Sequence, residues 1–190
     1  MYNEGLNREA MSVKVIGAVC AMAAVAGIAM IFFGGGIAQI AIAVANAAFA
    51  IICFMENENE KYFFVTALGI IILAEVIGIF TGGLSNSSSI FNTLISIGVH
   101  LAMIGYIMWN RVTRNQVMWA GAVLVLDVIW RVWMFSASMK SFQGLYGAVG
   151  GDTADIAKLT TLAIVTALIT IVPAFSVTVL LFTGALDYGN

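Results

Sequence analysis

The chain has 190 residues, 62% of them hydrophobic and only 9% charged, with a formal charge of -2 and a mean hydropathy of +1.02. Soluble domains carry about 25% charged residues, and a soluble core of this size has no room for so much apolar side chain. The composition therefore excludes a soluble enzyme, a nucleic-acid-binding domain and a disordered tail, and the small net charge implies no charged macromolecular partner.

Six apolar segments follow one another at 12–33, 37–55, 62–81, 90–109, 117–136 and 159–182. Each has about 19–24 residues, enough to cross a hydrocarbon layer of ~30 Å at ~1.5 Å per residue. No ten-residue alternation of polar and apolar residues is seen, so β-barrel strands are not expected. Helices remain, because every backbone N–H and C=O in lipid must be satisfied within its own segment. The expected fold is all-α: a polytopic membrane protein, a six-transmembrane-helix bundle, with residues 1–190 as a single integral membrane domain and the lipid bilayer as its main partner. A cleavable leader is not expected, since the first apolar run is long and mostly polar residues precede it. No self-similarity marks an inverted repeat.

The connections are short and polar. Gly34, Gly35 and Gly36 read as a tight hairpin between the first two segments. Residues 56–61 (ENENEK), 81–89 (TGGLSNSSS) and 110–116 (NRVTRNQ) join the next three pairs. The longest connection, 137–158, carries Met139, Phe142, Leu145, Tyr146 and Val149 at helical spacing, which predicts a short helix lying in the interface. Gly144 and Gly147 weaken such a helix. Asp152 reads as the N-cap of the last segment, with Asp155 in its first turn.

With six spans both termini share one side. That side holds Arg8, Lys14, Lys61, Arg111 and Arg114 against Lys140 and Lys158 on the other, which predicts cytoplasmic termini. The first two segments are rich in small residues four apart, such as Gly17/Ala21, Ala23/Gly27, Ala41/Ala45 and Ala43/Ala47. Such pairs allow close helix approach in lipid. Their short connection favours packing of segment 1 on segment 2 within one chain over a dimerisation face. Trp109, Trp119, Trp130 and Trp133 read as an aromatic belt at the ends of segments 4 and 5.

The informative residues are those that do not belong in lipid. Asn46, His100 and Asp127 fall at the centres of segments 2, 4 and 5. Glu75 lies about 5 Å and Arg131 about 7 Å from the centres of theirs, displaced the same way. An Asp or Arg at a helix centre costs about 2.5–3.5 kcal/mol, so these groups are expected to face inward and pair. Asp127 and Arg131 are four apart with the acid first, the favourable order, and Glu75 is placed to be a second acid for Arg131. Asn92, Ser96 and His100 form an i, i+4 stripe, Gln39 covers the same half of segment 2, and Thr166 and Thr170 line one stripe of segment 6. Pro173 frees the carbonyl of Ile169 and predicts a kink.

The candidate substrate- or ion-binding residues are thus Glu75, Asp127, Arg131, His100, Asn46 and Ser96. The plainer alternative is that the charged trio only fastens segments 3 and 5 together. No catalytic residue, metal site or cofactor is expected. One histidine cannot supply two haem ligands, Cys20 and Cys53 form neither a CxxC pair nor an expected disulfide, and no phosphate-binding loop is present. Asn86 fits a three-residue glycosylation pattern that is common by chance. Two functions remain: a small transport or ion-conducting protein, or membrane component of a transporter, with a polar midplane site; and a non-catalytic accessory or structural subunit of a larger membrane complex. Both are compatible with a homo-oligomer or with other membrane subunits as partners. A membrane-embedded enzyme is a distant third, for want of a nucleophile or a metal.

Overall fold

A computed structural model describes residues 5–32, 37–56, 58–81, 87–109, 111–148 and 150–188. Over these residues the chain is all-helical apart from one two-residue strand near each end. The elements are β1 (Gly5–Leu6), α1 (Met11–Phe32), α2 (Ile37–Phe54), α3 (Glu60–Thr81), α4 (Ser87–Trp109), α5 (Arg114–Ala148), α6 (Thr153–Phe182) and β2 (Leu186–Asp187). All six helices are long and apolar enough to cross a membrane. The glycine hairpin at 34–36 and the pattern at Asn86 lie outside the described residues.

The helices arrange as two rings that share a wall. In the first, α1 packs on α2, α2 on α3, and α1 on α6. In the second, α3, α4, α5 and α6 each touch the next. The wall between the rings is made by α3 and α6, with α2 behind them.

The first ring owes its closeness to missing side chains. A Cβ on Gly27 would lie 2.9 Å from the Cβ of Ala43, and one on Gly17 would lie 2.8 Å from the ring of Phe54. The small-residue pairs thus pack α1 on α2 within the chain, as their short connection predicts. Cys20 and Cys53 are both free and buried in this region. The Sγ of Cys20 lies 3.2 Å from the Oγ of Ser176 on α6.

The α5–α6 region departs from expectation. Residues 137–148 are not a separate interfacial helix: α5 runs unbroken for 35 residues, about 52 Å at the usual rise. Gly144 and Gly147 do not interrupt it. The helix ends where Gly150 takes a positive φ of 79°. There the N–H of Gly150 donates to the Gly147 carbonyl and that of Gly151 to the Tyr146 carbonyl, the paired bonds of a Schellman ending. The side chain of Asp152 then caps α6 by accepting from the Ala154 N–H at 2.8 Å, as its position predicts. This tight turn leaves α5 and α6 as a long antiparallel hairpin. It also places Trp130 and Trp133 within α5 rather than at its end, their rings 5.2 Å apart. At the other end of α5, Thr113 and Gln116 form a reciprocal capping box.

The described segments nearest the two ends of the chain meet. β1 and β2 pair antiparallel, with Gly5 opposite Asp187, so both ends sit at one edge of the bundle. Beneath them Glu60, the first residue of α3, is buried and accepts three bonds. The Leu6 N–H donates at 3.0 Å, an Arg8 guanidinium nitrogen at 2.6 Å and the Tyr188 hydroxyl at 2.9 Å. Arg8 also donates to the Ile52 carbonyl, and Lys61 stacks over the Tyr188 ring. Burial, then the adjoining Glu60 carboxylate, push the Tyr188 phenol above its ordinary pKa. Residue 60, expected in a solvated loop, is instead the anchor of this clasp.

Candidate functional site

The second ring is not filled. Between α3, α4, α5 and α6 lies a cleft of about 550 Å³, within the range of small-molecule sites. It occupies the half of the bundle away from the chain termini. Glu75, Gly78 and Ile79 line it from α3; Ile90, Asn92, Thr93 and Ser96 from α4; Leu124, Asp127, Val128, Arg131, Val132 and Phe135 from α5; and Ala163, Ile164, Ala167, Thr170 and Ile171 from α6.

Helical spacing explains who reaches the cleft. On α4, Asn92 and Ser96 are one turn apart and share a face. On α5, Leu124, Asp127, Val128, Arg131, Val132 and Phe135 follow the i, i+3, i+4 repeat of one stripe. On α6, Ala163, Ala167 and Thr170 do the same, and the two alanines leave the space open. The Thr170 hydroxyl donates to its own helix at the Thr166 carbonyl, so it offers the cleft an oxygen acceptor.

The ionisable side chains of the cleft fall in two clusters. On one wall, the Ser96 hydroxyl donates to Oε1 of Glu75. His100 sits one turn deeper on α4, its side chain 1% exposed, with Nδ1 3.8 Å from Oε2 of Glu75. The same Nδ1 lies 2.8 Å from the Ser96 carbonyl. A carbonyl only accepts, so Nδ1 carries the hydrogen. Among the described residues, Oε2 of Glu75 and Nε2 of His100 are buried without a hydrogen-bond partner. On the opposite wall, Arg131 forms an ion pair with Asp127 one turn before it on α5. These two side chains are 40% and 41% exposed, far more open than Glu75 at 10%.

Of the six residues singled out in the sequence, Glu75, Ser96, Asp127 and Arg131 line the cleft. His100 stands behind Glu75 and Ser96 rather than on the surface of the cleft. Arg131 pairs with Asp127, and no ion pair joins Glu75 to Arg131 among the described residues. Asn46 is elsewhere. It is buried in the first ring, where its Nδ2 donates to the Ile42 carbonyl at 2.9 Å and to the Ile169 carbonyl at 3.1 Å. Ile169 is four residues before Pro173, so Asn46 satisfies the acceptor that the proline leaves without its helical donor. Its position belongs to that repair, not to the cleft.

The residues that sequence reasoning missed are apolar: Gly78, Ile79, Ala163 and Ala167 shape the space and carry no chemical signal of their own. Among the described residues, no three His, Cys, Asp or Glu side chains gather as a metal site. Comparison with protein-family models, with curated proteins and with solved structures finds no match for this chain.

Proposed function

We propose that this chain is a polytopic membrane protein that moves a small solute or ion, or forms the membrane component of a transporter, with the cleft between α3, α4, α5 and α6 as its binding site. The observation that carries the reading is Glu75. An acid on the wall of an open cleft, holding one hydroxyl donor and leaving an oxygen without a partner, is costly in lipid and is characteristic of solute and proton pathways. The asymmetry of the bundle also supports it. The cleft lies toward the α5–α6 turn, while the opposite end is sealed by the terminal clasp. The reading takes both termini as cytoplasmic on the positive-inside rule, with Arg8, Lys14, Lys61, Arg111 and Arg114 toward the clasp end against Lys140 and Lys158 toward the α5–α6 turn. The cleft then faces outward. The reading requires no catalytic role for any residue.

The test is charge movement in proteoliposomes on a solid-supported membrane, with a panel of inorganic ions and small organic solutes applied in turn. The expected result is a protein-dependent current that Glu75→Gln reduces by about tenfold or more, the loss of about one strong polar contact. Asp127→Asn should reduce it as well, since it releases Arg131 into the cleft. Unchanged currents in both variants, with both proteins monodisperse, would overturn the reading.

One observation favours the second function, an accessory subunit of a larger membrane complex. Beyond Leu124 no described residue of α5 is buried, which leaves much of the long hairpin open to a partner subunit. Purification in mild detergent separates the two. Obligate recovery with other subunits supports the accessory role, and a stable isolated species with the currents above supports transport.

A further inference from the structure

We infer that the occupant of the cleft is a small organic monocation with apolar substituents, held by Glu75 as its counter-ion; this rests on the transport reading and narrows it to a ligand class. The first argument is a charge count. Three ionisable side chains line the cleft: Glu75, Asp127 and Arg131. Asp127 and Arg131 cancel as an ion pair on one helix. Glu75 remains, with the Ser96 hydroxyl as its hydrogen-bond donor and Oε2 without a hydrogen-bond partner among the described residues, 3.8 Å from Nδ1 of His100. His100 lies behind it, but its Nδ1 hydrogen is directed to the Ser96 carbonyl. One acid is left to be balanced, and a single positive charge balances it.

The second argument is size and wall chemistry. A bare metal ion is commonly held by several carboxylates or imidazoles, and among the described residues no three His, Cys, Asp or Glu side chains gather. A space of about 550 Å³ with Ile79, Leu124, Val128 and Phe135 on its walls suits an apolar body instead. Phe135 adds an aromatic ring of the kind that attracts an organic cation. An anion finds little here, because the one guanidinium is already taken by Asp127.

The probe is tetraphenylphosphonium, measured by equilibrium dialysis against the purified chain in lipid nanodiscs, with empty discs subtracted. Saturable binding is expected. Glu75→Gln should weaken it at least tenfold. Arg131→Gln should bind several-fold tighter, because it leaves a second acid facing the ligand. That variant guards against a folding artefact, since a damaged protein does not bind better. Tetraphenylborate, of the same shape and opposite charge, measured separately, should show no saturable binding. Lipid headgroups are one natural source of such a cation. Weaker probe binding in phosphatidylcholine discs than in phosphatidylglycerol discs assigns the site to a headgroup, and equal binding to a free cation.

No saturable binding of tetraphenylphosphonium, loss of binding in Arg131→Gln, or equal binding of tetraphenylborate would overturn the ligand class. Charge movement that still depends on Glu75 would then leave the transport reading standing. Saturable binding that depends on Glu75, with no charge movement in proteoliposomes, would uphold the ligand class and remove transport.

Discussion

The two rings of this bundle are built from the same kinds of helix, yet one is filled and the other is open. In the α1–α2–α3–α6 ring the residues at the contacts are small, so backbones approach until a single added Cβ would collide, as at Gly27 against Ala43. Its buried polar side chain from α2, Asn46, donates through Nδ2 to two carbonyls, while Oδ1 is buried without a hydrogen-bond partner among the described residues. In the α3–α4–α5–α6 ring the side chains are larger, α4 packs more on α3 than on α5, and the two acids and the arginine occupy the space between. The contrast teaches that a polar residue at mid-helix is not by itself a site. Asn46 repairs a proline defect in a packed ring. Both keep a buried oxygen without a hydrogen-bond partner among the described residues, but only Glu75 stands beside a cleft that a ligand can enter.

The sharpest way to break this comparison is to add the same bulk to each ring. Ala45 is fully buried in the first ring, and Ala167 lines the cleft. Ala45→Leu is expected to cost about 1–3 kcal/mol by overpacking, or to prevent folding. Ala167→Leu should change stability by less than about 0.5 kcal/mol, because it grows into open space. Thermal unfolding in detergent measures both, and equal losses would mean that the second ring is as tightly packed as the first.

A smaller effect tests the repair at Pro173. Asn46→Ala leaves the Ile169 carbonyl buried without its donor and should cost about 1–3 kcal/mol. In a Pro173→Ala background the restored backbone N–H can donate to that carbonyl, so the same Asn46→Ala change should cost much less. A double-mutant cycle reads the difference as a coupling energy. An additive result would detach Asn46 from the proline.

The smallest effect concerns the sealed end. The Tyr188 phenol is held above its ordinary value in the folded chain. Ionisation is therefore harder folded than unfolded. The hydroxyl contributes its stability below about pH 10, the unfolded phenol value, and that contribution is lost as pH rises further. Tyr188→Phe should lower stability by about 0.5–1.5 kcal/mol at neutral pH and flatten the loss above pH 10. Melting curves from pH 7 to 11 check this, and an unchanged alkaline slope in the variant would exclude Tyr188 as its source.

Much of this was legible from residue order alone, and for physical reasons. Helix number and rough boundaries follow from apolar run length, and the Asp152 cap from local chemistry, because both are decided within a few residues. The short separate helix expected within 137–158 is instead the end of α5, because helical spacing alone does not tell a new helix from the continuation of the one before it. Glu75 stands out by its cost in lipid, and Ser96 by the i, i+4 stripe that it shares with Asn92 and His100. That Glu75 takes Ser96 and His100 as neighbours, while Arg131 takes Asp127, depends on how α3 rotates against α4, which no local pattern encodes. Arg8, Glu60 and Tyr188 are 52 and 128 residues apart in their pairings. No local signal connects them.

The position of α6 has a consequence for how the chain is assembled during synthesis. Five helices leave the ribosome before it, and each ring lacks a side until it arrives. Until then the Nδ2 of Asn46 has no Ile169 carbonyl to reach, Cys20 lacks Ser176, and Arg114 lacks the Leu181 carbonyl that it holds at 2.6 Å in the finished bundle. Nascent intermediates stalled ahead of residue 153 should therefore remain loosely associated and sensitive to protease, and become resistant in a single step once the last helix packs.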